Sequence, residues 1–168
     1  MWGKSVVRSV PVNNMETQTT IARMYYNGLF RHGVDEKRRV QIPAKWRPDE
    51  SGVEFTMIVW PKANEGTCLR VLPPEEMAQL VADLDAMPSN NPQKVVLKRV
   101  IGSRSLQVTL DKAGRICLPD EMAKEAGITK DVVLVGLLDR FEIWSPERYK
   151  KIEVSDDVVA HEAFKLME

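Results

Sequence analysis

Apolar and polar positions alternate in several short stretches of the chain. Phe30, His32 and Val34 keep a period of two, as do Leu106, Val108 and Leu110, the spacing of strands with one buried face. Denser apolar runs, residues 55–60 with 68–72 and 132–137 with 141–144, predict two further pairs of strands. Helical spacing comes in between. Met77, Leu80, Val81 and Leu84 fall on one face of a helix opened by Pro73 and Pro74. A short helix is expected over Val95 to Ile101, ended by Gly102, and another after Pro119, with acids at its start and Gly127 placed to stop it. A last helix starts near Pro146 and is expected to break around Val154 to Asp157. Residues 1 to about 23 show no periodicity and read as a mobile tail.

The pattern repeats. Val34 to Pro43 (VDEKRRVQIP) and Leu110 to Pro119 (LDKAGRICLP) align at an offset of 76, matching Asp35 with Asp111, Arg39 with Arg115 and Pro43 with Pro119. Leu69 to Met77 and Phe141 to Tyr149 align at an offset of 72, with Pro74 and Glu75 matching Pro146 and Glu147. A longer loop around residues 61–66 of the first copy accounts for the change of offset. A unit of roughly 45 residues buries too little surface to stand alone, so two copies sharing one core are expected. In each copy Asp-x-x-x-Arg is a turn between two strands.

Composition narrows the function. Of 168 residues, 24 are Lys or Arg and 24 are Asp or Glu, so net charge is zero and a generally basic nucleic-acid coat is excluded. The charge is unevenly placed. Residues 31–47 hold Arg31, Lys37, Arg38, Arg39, Lys45 and Arg47 against Asp35 and Glu36. Residues 92–119 hold six cations, among them Lys112 and Arg115, against Asp111 alone, while residues 71–91 hold four acids and no Lys or Arg. Both repeated turns carry the positive excess, the footprint of a nucleic-acid face with an acidic back; mixed solvated charge is the bland alternative. No apolar run is long enough to span a bilayer and no signal peptide is evident. Cys68 and Cys117 read as reduced thiols of a cytosolic protein.

Catalytic patterns are missing. There is no glycine loop for phosphate, and neither His32, His161 nor the two cysteines sit at metal-ligand spacing. Cys117 alternates with Ile116 and Leu118 and is expected on the opposite side of its strand. His32 reads as an edge-strand residue. Glu75 and Glu76 read as helix-start acids. No catalytic residue, metal or cofactor is expected.

Two Asp-x-x-x-Arg turns, each followed by x-Pro and a short helix, resemble the AbrB/SpoVT swapped-hairpin family. The tandem arrangement, with DEKRRVQIPAKWR (Asp35 to Arg47) and VVLVGLLDRFEIWSPERY (Val132 to Tyr149), is similar to the MraZ family of transcriptional regulators over about residues 25–150. One departure stands out: Arg38 occupies the place where the family usually has Gly and the second copy keeps Gly114, which would reshape the first loop.

The resemblance implies a mainly β, α+β fold in which two interleaved swapped-hairpin β-barrel repeats form a pseudo-dimer within one chain. Its organisation would be a flexible tail (1–24), a first repeat domain (29–76), a helical linker (77–104), a second repeat domain (105–148) and a helical C-terminal tail (149–168). Protomers would assemble into a ring that binds double-stranded DNA at repeated G-rich boxes near its own promoter. The ring would act mainly as a repressor, in the cytoplasm on the nucleoid, without membrane contact.

On this reading Asp35, Asp111 and Gly114 hold the turns, unless the acids are turn formers only. Arg39 and Arg115 either read guanine or serve as internal ion-pair partners of the turn acids. Lys37, Arg38, Lys112 and Arg31 contact phosphates, with Lys45 and Arg47 extending the field. A protein-interaction scaffold or antitoxin-like module of the same fold is the alternative.

Overall fold

A computed structural model describes residues 24–62, 64 and 66–168; the expected N-terminal tail lies outside the described residues. The first copy contributes β1 (Leu29–Gly33), β2 (Arg39–Gln41), β3 (Phe55–Trp60) and β4 (Cys68–Leu72), with a 3-10 turn at Ala44–Trp46. Helices α1 (Pro74–Ala86) and α2 (Pro92–Ser103) follow. The second copy contributes β5 (Ser105–Val108), β6 (Arg115–Cys117), α3 (Asp120–Glu125), β7 (Asp131–Gly136) and β8 (Phe141–Trp144), followed by α4 (Pro146–Phe164) and a 3-10 turn at Lys165–Met167. The fold is mainly antiparallel sheet with four helices.

Six strands form one sheet in the order β1-β7-β8-β4-β3-β5, and β2 pairs with β6 in a separate ribbon. Exchanging the copies, β1 for β5, β2 for β6, β3 for β7 and β4 for β8, turns the sheet order into its own reverse. Each copy's first strand therefore pairs with the other copy's third strand: Phe30 faces Leu134, and Met57 faces Leu106. The centre of the sheet is the β4–β8 contact, where Arg70 faces Glu142. The centre of the ribbon is Val40 opposite Ile116.

The sheet is not a closed barrel, contrary to expectation. β1 and β5 are its two ends, and no hydrogen bonds join them. The ribbon strands are three residues long and pair with each other, and among the described residues a single isolated bridge, Val34 to Val40, runs toward the sheet. The ribbon instead lies over one sheet face. Val40, Ile42, Ile116 and Leu118 are buried there with Phe55, Met57, Leu69, Val71, Phe141 and Ile143. Trp46, fully buried, packs edge-on to Tyr26 and Phe30 and donates from Nε1 to the Asn27 carbonyl at 3.1 Å. Burial pushes the Tyr26 hydroxyl up to about 12. On the opposite sheet face, Cys68, Val133 and Trp144 are covered by Tyr149 and Ile152 of α4.

The helices depart from expectation in three places. α4 runs unbroken through residues 154–157, because no Pro or Gly interrupts it and Ser145 caps it by accepting from the Arg148 amide at 3.2 Å. α2 starts earlier than expected, at Pro92, with Asn91 as its cap, and continues through Gly102, whose φ stays out of the left-handed region. On α1 the inward face includes Glu76 rather than Val81, which is 44% exposed, because Arg140 Nη2 lies 3.4 Å from the Glu76 carboxylate. Gly127 does stop α3, at φ 68°.

Candidate nucleic-acid interface

Each Asp-x-x-x-Arg segment folds into the same turn. In the first, Asp35 Oδ1 accepts from the amides of Lys37 (3.0 Å) and Arg39 (2.8 Å), and Oδ2 accepts from Arg39 Nε at 2.7 Å. In the second, Asp111 Oδ1 accepts from Ala113 and Arg115, both at 2.9 Å, and Oδ2 from Arg115 Nε at 2.9 Å. The acids thus satisfy the turn amides and also pair with the arginine. The amides of Arg39 and Arg115, followed by their guanidinium groups, hold both carboxyls below the usual carboxylate range.

The turns are strapped to the ribbon crosswise. Ile42 N donates to Gly114 O at 2.9 Å, and Leu118 N to Arg38 O at 2.8 Å. Gln41 Nε2 reaches the Ala113 carbonyl at 2.8 Å, and Cys117 Sγ contacts the Lys37 carbonyl at 3.5 Å. Each copy's return strand therefore braces the other copy's turn, and the two tips form one unit.

Arg38 corrects an expectation. It takes φ 60°, close to the 76° of Gly114, and its amide donates to Asp35 O at 2.9 Å just as Gly114 N donates to Asp111 O. The first loop keeps the shape of the second. A side chain fits because repeat position 47 differs between the copies. In the second turn Arg47 fills that space, donating from Nε to Ile42 O at 2.9 Å, and a Cβ on Gly114 would run into its guanidinium. In the first turn the equivalent residue is Ala123, and the vacated space belongs to Arg38, which pairs with Asp120.

The Nη groups of Arg39 and Arg115 have no hydrogen-bond partner among the described residues, and both side chains are 30% exposed. Lys37 and Lys112 are exposed on the same tips. Lys45 lies over the Phe30 ring, 5.6 Å from its centre. Arg31 is not brought to the tips. It faces Val133, a member of the cluster beneath α4, while its neighbour Phe30 packs in the main core, so Arg31 belongs to the opposite sheet face. Its charge is felt there by Tyr149.

Residues the sequence reading missed include Gln41 and Asp120, and Arg47 is a packing residue as well as a charge. The offset of 76 was the available signal: it places Gln41 against Cys117, Arg38 against Gly114 and Arg47 against Ala123. Cys117 is exposed and Ile116 buried, as their alternation implied. Among the described residues no group of His, Cys, Asp and Glu has the arrangement of a metal site, and no helix is long and apolar enough to cross a membrane.

The chain is similar in sequence to known proteins. Residues 103–163 match the MraZ family model, described as "MraZ protein, putative antitoxin-like". The chain is 35% identical to the transcriptional regulator MraZ of Clostridium tetani, over 74% of the chain and 84% of that protein. It is 34% identical to the protein of the same name from Lachnoclostridium phytofermentans, over 81% of the chain and 94% of the relative. A third, from Clostridium beijerinckii, is 36% identical over 77% of the chain and 87% of its own length.

Proposed function

Because the chain belongs to the MraZ family, we propose that it is a sequence-specific DNA-binding transcriptional regulator. The observation that carries this reading is the paired turn: two tips braced by one ribbon, each holding an arginine by its Nε while its Nη groups stay unengaged. A guanidinium fixed at one edge and open at the other suits guanine, whose O6 and N7 accept two bonds in the major groove. Lys37 and Lys112 flank the arginines and serve as phosphate contacts. Arg38, committed to Asp120, and Arg31, on the far face, contribute less.

The exchange-symmetric strand order supports the swapped-hairpin pseudo-dimer and the two repeat domains. A ring of protomers multiplies the few contacts that one chain offers, so that successive G-rich boxes are engaged together. Its sites lie upstream of its own coding sequence, in a division and cell-wall gene cluster, where it mainly represses. It works in the cytoplasm on the nucleoid, without a cofactor and without catalysing a reaction; the names of its relatives support a regulator rather than an enzyme. The words "antitoxin-like" in the family description favour a second reading, in which the same tips meet an acidic protein partner.

Footprinting on the DNA upstream of its own coding sequence tests the proposal, with wild type beside Arg39→Ala and Arg115→Ala. A protected site that either substitution removes, with the size of the assembly unchanged, is the expected result. No protected site, or one indifferent to both substitutions, overturns it.

A further inference from the structure

The backbone of the ribbon is symmetric, but the side chains it presents are not. In β2–β6, Arg39 faces Cys117 and Gln41 faces Arg115. Residues opposite one another in an antiparallel pair share a face. Val40 and Ile116 point into the core at 0% exposure, so these four residues share the outer face. Each reading arginine thus has a neighbour contributed by the other copy. For Arg115 it is Gln41, and for Arg39 it is Cys117.

Those neighbours differ in what they offer a base. Gln41 spends its amide nitrogen on the carbonyls of Ala113 (2.8 Å) and Gly114 (3.4 Å), and its Oε1 has no partner among the described residues. The two carbonyls together orient the amide, its oxygen included. In the major groove a lone acceptor matches the exocyclic amines, N4 of cytosine or N6 of adenine. Cys117 points its thiol to the Lys37 carbonyl and leaves only a small, weakly polar sulfur on the face.

We infer that Gln41 is a specificity-determining residue: the Arg115–Gln41 half of the ribbon reads a guanine beside a base bearing an amine, and the Arg39–Cys117 half reads a guanine alone. A pseudo-symmetric scaffold thereby presents two unequal halves to one box. This inference rests on the DNA-binding reading above. It goes further by assigning the asymmetry to one pair of repeat-equivalent positions.

The test is selection from a randomised duplex library, followed by sequencing, with wild type, Gln41→Cys and Cys117→Gln. Wild type is expected to enrich a box with an amine-bearing base on one side. Gln41→Cys loses that preference, by about fivefold for a single hydrogen bond. Cys117→Gln gains the same preference on the other side, producing an inverted repeat. The second variant adds a function, so a folding defect cannot imitate its result. If wild type enriches no sequence, the regulator reading fails and the inference falls with it. If wild type enriches a box and both variants enrich the same one, the inference alone is overturned.

Discussion

Arg70 and Glu142 occupy equivalent places in the two copies and meet across β4–β8, with Arg70 Nη2 2.9 Å from Glu142 Oε2. They sit on the axis that exchanges the copies, where two identical halves would place like charges together. The pair is nearly enclosed. The Arg70 guanidinium lies 4.1 Å from the centre of the Trp60 ring, and Glu142 accepts from Trp144 Nε1 at 3.1 Å. Because the two halves differ in sequence, this position carries opposite charges.

Removing one member of this pair leaves a buried charge uncompensated. Glu142→Ala is expected to cost roughly 3–5 kcal/mol in denaturant unfolding, whereas the double replacement Arg70→Met with Glu142→Leu costs much less. Reversing both charges restores part of what either reversal alone loses.

Arg38 holds a left-handed backbone at φ 60°. Arg38→Gly and Arg38→Ala both lose the pairing with Asp120, and they differ mainly in the backbone term. The glycine variant is expected to be about 1 kcal/mol more stable than the alanine variant, read from the shift in unfolding midpoint.

Gly114 is constrained twice, by φ 76° and by the Arg47 guanidinium against it. Gly114→Ala is expected to destabilise by more than about 1 kcal/mol. In a double-mutant cycle, Arg47→Ala recovers the steric part and leaves the conformational part.

Asp35 and Asp111 titrate below their ordinary value of 3.8 in the folded turn. A lowered carboxyl contributes stability in full above the ordinary value and loses it as pH falls toward the folded value. Stability should therefore decline on acidification below about pH 4. In Asp35→Asn with Asp111→Asn that part of the decline is absent, as thermal melts across the acid range would record.

If several tips engage successive boxes, their phasing on the duplex matters. Inserting about 5 bp, half a helical turn, between boxes is expected to abolish most specific binding in a mobility shift. Added salt should weaken what remains, through counterion release.

Local features were the legible ones. Residues 55–60 and 68–72 are strands because β-branched and aromatic runs sit between turn formers, and those bounds hold in the structure. The Asp-x-x-x-Arg turns were legible because an Asp side chain can satisfy amides two and four residues on. What lay beyond reach depended on partners distant in sequence. Which face Arg31 takes is decided by Val133, about a hundred residues later, and the open sheet follows from β1 choosing β7. Gln41 acquires a role only with Ala113, 72 residues later, beside it. Arg38 looked disruptive until Ala123 proved to leave it room.

The exchange of first strands has a consequence for how the molecule is made. Leu29 waits for Val135, and Phe55 for Val108, before either finds its neighbour in the sheet. While the chain emerges from the ribosome, the first copy has no sheet partner for β1 until β7 has been translated. The β3–β4–β5 part of the sheet can pair earlier, but β1 stays an open edge until residues 131–136 have been made, and such an edge invites pairing with other chains.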